Sequence, residues 1–282
     1  MLGDKQNQNV TFLLRILGVT LFLGRAWECF RWKTKLSNVI WDPQRFGKNL
    51  ESIYGKSLNE IYSQKLSEPL LNGIDTALGV IFIVAAIACV LTKPKLRGLN
   101  WLIYLGTLGL GLVYFAMYYS KAFYFGYLLE HSLQMYCGIA LVLATKKVAI
   151  PKLMGILKIL TAITFVCHGL FAVGYYPMPG KFIDYMITGF GMDQSTAQTS
   201  LIILGILDFI FAILIFIPKV AKPALIYGII WGFLTALARV WTTFSWDFLG
   251  NWFDQYFFEF VVRMCHFIVP LTIWLVASSK KV

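Results

Sequence analysis

The sequence predicts an all-α, polytopic membrane helix bundle of about eight transmembrane helices in two parallel four-helix repeats. Composition is the first reason: of 282 residues, 58% are hydrophobic and only 14% charged, outside the usual range for soluble domains. Apolar run length is the second, because the chain contains stretches of the roughly 20 residues that cross a hydrocarbon core about 30 Å thick. The third is self-similarity. Leu14-Arg15-Ile16-Leu17 and Phe22 recur as Leu157-Lys158-Ile159-Leu160 and Phe165, with Arg25 matching His168, all at an offset of 143. Lys93-Pro94 matches Lys222-Pro223, and Glu130 matches Glu259, both at an offset of 129. Four spans per half is an even number, so the halves are expected to be parallel copies about an axis along the membrane normal. The first repeat covers 1–148 and includes a long outer loop, 33–70; the second covers 149–282.

In chain order the spans fall near 11–32, 71–92, 99–119, 125–145, 154–175, 198–217, 224–244 and 257–277. The first carries Arg25 and Glu28, is too long for a cleavable signal peptide, and is expected to stay as a signal anchor. Pro94, Pro151, Pro218 and Pro223 fall in connections, where a missing amide donor costs least. No span is expected to be broken at mid-membrane. Residues 33–68 are too polar to span, but Val39, Ile40, Phe46, Leu50, Ile53, Tyr54, Leu58, Ile61 and Tyr62 have helix-like spacing. That spacing reads as amphipathic helices on the membrane or a dock for another protein, and the segment is expected to cap the cavity.

Charge sets the orientation. The connections at 93–98, 146–152 and 218–223 carry Lys93, Lys95, Arg97, Lys146, Lys147, Lys152, Lys219 and Lys222 with no acid, and the tail adds Lys280 and Lys281. The opposite short loops hold Lys121 and Lys181 beside Asp184, Asp193, Asp247 and Asp254. By the positive-inside rule both termini are cytoplasmic, in a bacterial-type inner membrane. The net charge of +11 therefore reads as topology. No basic strip with interleaved stacking aromatics offers itself to nucleic acid.

Within this apolar frame Arg25, Glu28, Glu130, His131, His168, Asp208, Arg239, Glu259, Arg263 and His266 fall inside or at the edges of spans. A charge at bilayer depth costs roughly 2.5–3.5 kcal/mol, so such residues face a protein interior or a wet cavity. Most lie in the outer half, which predicts an outward-facing polar cavity closed below. Glu259, Arg263 and His266, spaced i, i+4, i+7, share one helical face, and Glu130, Gln134 and Cys137 repeat the pattern. Two readings stand: a satisfied Glu259–Arg263 pair with His266 packed between helices, or proton relay and headgroup binding beside the fixed charge of Arg263. Arg25 and Glu28 admit the same two.

Two histidines on separate helices could hold one haem at most, and haem is not expected. The five cysteines contain no Cys-x-x-Cys, so no metal or dithiol centre is expected. No Walker loop, dinucleotide fingerprint, Gly-x-Ser-x-Gly or His-Glu-x-x-His occurs. Aromatics concentrate on the outer side, as an interfacial belt does. Trp41, Phe46, Tyr54, Trp246 and Trp252 are the candidates there for contact with lipid or a protein partner.

Residues 158–217 resemble the first two helices of the DoxX/DoxD-like four-helix membrane proteins. The resemblance rests on a basic residue opening the first helix, His168-Gly169 late in it, a hinge at Tyr176-Pro177-Met178-Pro179, the amphipathic run Lys181-Phe182-Ile183-Asp184-Tyr185, and Gly205-Ile206-Leu207-Asp208. The first half repeats the plan more faintly, as a tandem duplication would. The resemblance implies a redox-associated role near quinone, with Asp208 as the counterpart of the family's second-helix acid. Asp75 is displaced in register from that position. Three functions follow: a quinone-facing redox subunit; a non-enzymatic subunit of an envelope assembly; and a proton- or ion-coupled transporter, the weakest because unbroken spans and a closed inner half do not suit it.

Overall fold

The computed structural model describes residues 2–96, 98–146 and 150–279, with side chains from residue 6 onward. Arg97, Lys147, Lys280 and Lys281, used above for orientation, lie outside the described residues. The chain is 81% helix, with no strand among the described residues. Eight helical segments are long and apolar enough to cross a membrane, so the chain is a multi-pass membrane protein.

The first span is α1 (Leu2–Arg31). Short helices α2 (Leu36–Ile40), α3 (Lys48–Tyr54) and α4 (Leu58–Ser63), with a π-helical turn at Pro43–Gly47, cover one end of the bundle, called the capped end below. Then come α5 (Glu68–Leu91), α6 (Leu99–Ser120), α7 (Phe125–Leu129) and α8 (Ser132–Thr145). The second half comprises α9 (Ile150–Ala172), α10 (Gly180–Phe190), α11 (Gln194–Leu214), α12 (Ala221–Trp241), α13 (Leu249–Val262) and α14 (Cys265–Ser279). In the first half α1 packs on α5 and α8, and α6 packs on α5 and α8; in the second, α9 packs on α11 and α14, and α12 on α14. The halves meet where α1 touches α13 and α14 and where α8 touches α9.

The interior is closely packed: Leu14, Phe22, Phe82, Ile103, Tyr114, Leu133 and Leu141 are fully buried. The outward faces stay apolar, with Leu108, Ile213 and Ile230 all more than half exposed. That reversal of soluble-protein patterning suits a lipid surround. Arg15, near the end that carries the termini, donates to the carbonyls of Cys89 and Thr92 at 3.1 and 2.9 Å. A cation there satisfies the last carbonyls of α5 and the negative end of its dipole.

The capping segment is tied down by polar contacts. Asp42 accepts from the Gln44 and Arg45 amides and from the Tyr119 hydroxyl of α6, and Asn38 donates to Ser120 at 3.0 Å. On α10, Gly191 takes the left-handed φ of 66° that ends the helix, and Asp193 caps the start of α11 by accepting from the Ser195 and Thr196 amides.

Two spans are broken, contrary to the expectation of continuous helices. The fourth divides at Glu130–His131 and the eighth at Arg263–Met264. In the eighth, Pro270 lies inside α14; it has no N–H for the carbonyl of His266 four residues earlier, and its ring crowds that carbonyl. In the fourth, the His131 ring Nδ1 takes the Tyr127 carbonyl at 2.7 Å, while its amide reaches only Leu128. A side chain there replaces a rung of the helix ladder.

Candidate functional site

The ten ionisable residues marked in the sequence separate into two groups. His168, Asp208, Arg239, Arg263 and His266 line a cavity of about 650 Å³ between α9, α11, α12 and α14, covered by α10. Arg25, Glu28, Glu130, His131 and Glu259 do not line it. The cavity is therefore more apolar than the charges alone implied, because five of them lie outside it: Arg25 pairs with Glu28, Glu130 sits beside His131 and His168, and Glu259 meets Lys181 and Arg239. Its remaining walls are mostly apolar and aromatic, with Phe165, Phe182, Tyr185, Phe190 and Trp231 among them.

In the first half Arg25, 4% exposed, pairs with Glu28 at 2.5 Å and donates to Tyr114 at 3.1 Å and Gln134 at 3.3 Å. Tyr114 in turn donates to Gln134 and stacks on His131, centroids 4.2 Å apart. This is a filled polar core. Tyr114 was not marked in the sequence; its only signal was membership of the aromatic belt, which hides a buried hydroxyl.

The break in the eighth span undoes the expected stack of Glu259, Arg263 and His266. Glu259 pairs with Lys181 of α10 at 3.2 Å and with Arg239 of α12 at 3.8 Å, whereas Arg263 reaches only the Glu259 carbonyl, at 3.4 Å. Lys181, read as a loop charge, thus fastens α10 to α13 over the cavity. Arg239 bends back to its own Thr235 carbonyl and leaves Nε without a hydrogen-bond partner.

Glycine contacts fix the level of the remaining groups. A Cβ on Gly169 of α9 would lie 2.9 Å from the Gly205 carbonyl oxygen of α11, and one on Gly205 would lie 3.0 Å from that of Gly169. Such close backbone approach is how small residues join membrane helices. From that crossing His168 is one residue and Asp208 three residues toward the termini, so at 1.5 Å per residue their Cα atoms differ by only about 3 Å in depth. Side chains lean toward the N-terminus of their own helix, and these helices are antiparallel, so the two lean toward one level. Gly232 of α12, next to Trp231, packs on the His266 backbone of α14 and brings that histidine to the same layer. His168 Nε2 and His266 Nε2 are 3.1 Å apart.

Asp208 is 4% exposed and its Oδ1 has no hydrogen-bond partner. Its counterpart by type in the first half, Asp75, is satisfied by the Thr34 amide at 3.1 Å and hydroxyl at 2.6 Å. A buried carboxyl oxygen left unpaired carries a free-energy cost that a ligand donor would remove. Among the described residues no group of three His, Cys, Asp or Glu side chains is spaced to hold a metal ion.

Of the surface candidates, Trp246 is 78% exposed and Phe46 is also exposed; Tyr54 is half-buried. Trp41 and Trp252 serve the fold. The Trp41 indole donates to Ser67 at 2.8 Å, and that of Trp252 donates to the Val240 carbonyl at 2.9 Å. No protein-family model, curated protein or solved structure matches the chain.

Proposed function

We propose that this chain is a redox-associated inner-membrane protein that binds a quinone-class lipid, ring first, in the cavity beneath α10. One observation carries the reading: in a single layer of an aromatic-walled cavity stand His168, His266 and Asp208, whose Oδ1 is unpaired, and Arg239 and Arg263 line the same cavity. A flat ring carrying oxygens fits polar groups gathered in one layer of an aromatic-walled space, and the apolar remainder suits its substituents. The volume falls within the roughly 300–1,000 Å³ of small-molecule sites. The resemblance of residues 158–217 to DoxX/DoxD-like proteins supports the same class. The base-rich connections Lys93–Lys95 and Lys219–Lys222 support cytoplasmic termini, and the capped end then faces outward.

The test is native mass spectrometry of protein gently extracted from its own membrane, followed by binding of a short-chain quinone. Wild type should retain a quinone-sized adduct, and Arg263→Ala should lose it with its thermal unfolding unchanged. Equal retention by both proteins, or no binding by wild type, refutes the reading.

Proton- or ion-coupled transport is the second reading, favoured by the two broken spans, since discontinuous helices mark many transporter sites. Proton flux in proteoliposomes that depends on an added ligand would decide for it.

A further inference from the structure

Glu130 lies outside the cavity, yet it touches a residue that lines it. Its Oε2 is 3.5 Å from His168 Nδ1, and His168 Nε2 meets His266 Nε2 at 3.1 Å. His266 Nδ1 in turn sits 2.9 Å from the Arg263 carbonyl oxygen.

Hydrogen counting constrains this string. A carbonyl only accepts, so His266 Nδ1 carries a hydrogen. The contact between the two Nε2 atoms needs one hydrogen, since two bare nitrogens repel and two N–H groups clash. One more fits between His168 Nδ1 and the Glu130 carboxyl when their 3.5 Å ion-pair contact closes to hydrogen-bond distance. Three hydrogens can then be arranged as a neutral acid with two neutral rings, as a carboxylate with His168 charged, or as a carboxylate with His266 charged. Each arrangement becomes the next by one hop between adjacent atoms, and the string is neutral in all three.

We propose that Glu130, His168 and His266 form a one-proton relay that exchanges a proton with an ionisable ligand oxygen in the cavity; the acceptor rests on the quinone-class reading above. In the delivering step the ligand oxygen takes the place of one imidazole at the contact between the two Nε2 atoms and uses a lone pair to form its O–H bond with the Nε2 hydrogen, while the breaking N–H bond leaves its pair on that nitrogen. Glu130, 12% exposed, passes its own proton to His168 and is reprotonated from water on the capped side. No electron transfer is assigned to the chain. The charged groups facing the string are Arg239 of α12, Arg263 at the α13–α14 break, and Lys121 beside Glu130. His131 lies 3.6 Å from Glu130, and Asp208 of α11 lines the same cavity as His168 and His266. Glu259 is engaged by Lys181 and Arg239. The three bases hold the string's carboxylate form within reach when the proton leaves.

Two measurements test the relay. The first is NMR of protein labelled with 15N-histidine: His168 and His266 should respond to pH in one joint step in wild type and separately in Glu130→Gln, an isosteric change that keeps a donor to His168 but carries no transferable proton. Independent steps in wild type, or an unaltered spectrum in Glu130→Gln, overturn the relay whether or not a quinone binds. The second uses 2-hydroxy-1,4-naphthoquinone, whose hydroxyl changes colour on ionisation. Wild type should exchange one proton per bound probe; Glu130→Gln should bind with unchanged affinity and lose that exchange, and Glu130→Asp should restore part of it. Exchange that persists in Glu130→Gln overturns the relay. Failure of wild type to bind the probe sinks the quinone-class reading and leaves the NMR result to judge the relay alone.

Discussion

Gly232→Ala should be among the most damaging small substitutions in the second half, and the structure gives the reason. Pro270 frees the His266 carbonyl of its helical partner, and α12 rests on that carbonyl through Gly232. A Cβ at position 232 would overlap the oxygen and lie 2.7 Å from the carbonyl carbon. Both obstacles are backbone, so no side-chain rotation relieves them, and α12 must move off α14. Overpacking of this kind costs about 1–3 kcal/mol. At about 2–4 °C per kcal/mol for a chain of this size, the melting temperature should fall by several degrees. Gly111→Ala in α6 is the control: nothing lies within 4 Å of its added Cβ, and replacing a helical glycine there should gain about 0.5–1 kcal/mol. Thermal unfolding of the two variants in one detergent, followed by tryptophan fluorescence, should therefore shift in opposite directions. Because α12 moving off α14 also carries Trp231 out of the layer, Gly232→Ala should lose quinone binding even well below its melting point. A Gly232→Ala protein that melts at or above wild type would refute the crossing, and with it the placement of His266 beside His168.

Three further outcomes follow from the same geometry. Arg25→Ala should destabilise by about 3 kcal/mol or more, as breaking a buried pair does, and Arg25→Ala/Glu28→Ala should recover part of the loss in the same melt. Ala122 holds a φ of 51°, a left-handed conformation that costs an L-residue about 1–2 kcal/mol, so Ala122→Gly should raise the melting temperature. The Thr196 hydroxyl and amide hold the Asp193 carboxyl below its usual range. A depressed folded-state value means this contribution is present above the unfolded carboxylate range and is lost as pH falls through the folded one; Asp193→Asn should flatten the stability profile on that acid side by lowering stability at neutral pH and leaving it nearly unchanged in acid.

The membrane class and all eight spans were legible because lipid demands long apolar helices and nothing else in the chain competes with that signal. The amphipathic spacing of residues 33–68 likewise announced the short helices there, but they cover the end of the bundle and line none of the cavity they were expected to cap, which lies under α10 instead. The breaks were less legible, although one had a visible cause. Pro270 stands within the last apolar stretch, and its consequence falls upstream, at residues that look helical by themselves. The break at His131 had no backbone signal, because it depends on a ring reaching its own helix's carbonyl. Site residues were legible as a set of misplaced charges and illegible as pairs. Glu259 was assigned to Arg263 by spacing on a continuous helix; once that helix breaks, Lys181 and Arg239, 78 and 20 residues away in the chain, become its partners. Helical spacing predicts contacts only as far as the helix runs.

That one half holds a cavity and the other a filled core follows from side-chain size at two matched positions. Arg25 and His168 correspond at an offset of 143. The arginine is long enough to reach Tyr114 and Gln134 on other helices while pairing with Glu28 on its own, so it fills its own surroundings and leaves only its Nε unpaired. The histidine stops at the neighbouring His266, and beyond it lies the volume that Asp208 and Trp231 border. The acids differ in the same sense: Asp75 is closed off by Thr34, while Asp208 keeps an oxygen free. The half whose arginine bonds to three neighbouring side chains contributes rigidity, and the half that leaves Asp208 Oδ1 unpaired beside an open volume is the one suited to a ligand. Glu130 joins them. It belongs to the filled half by sequence and to the open half by contact, through His168.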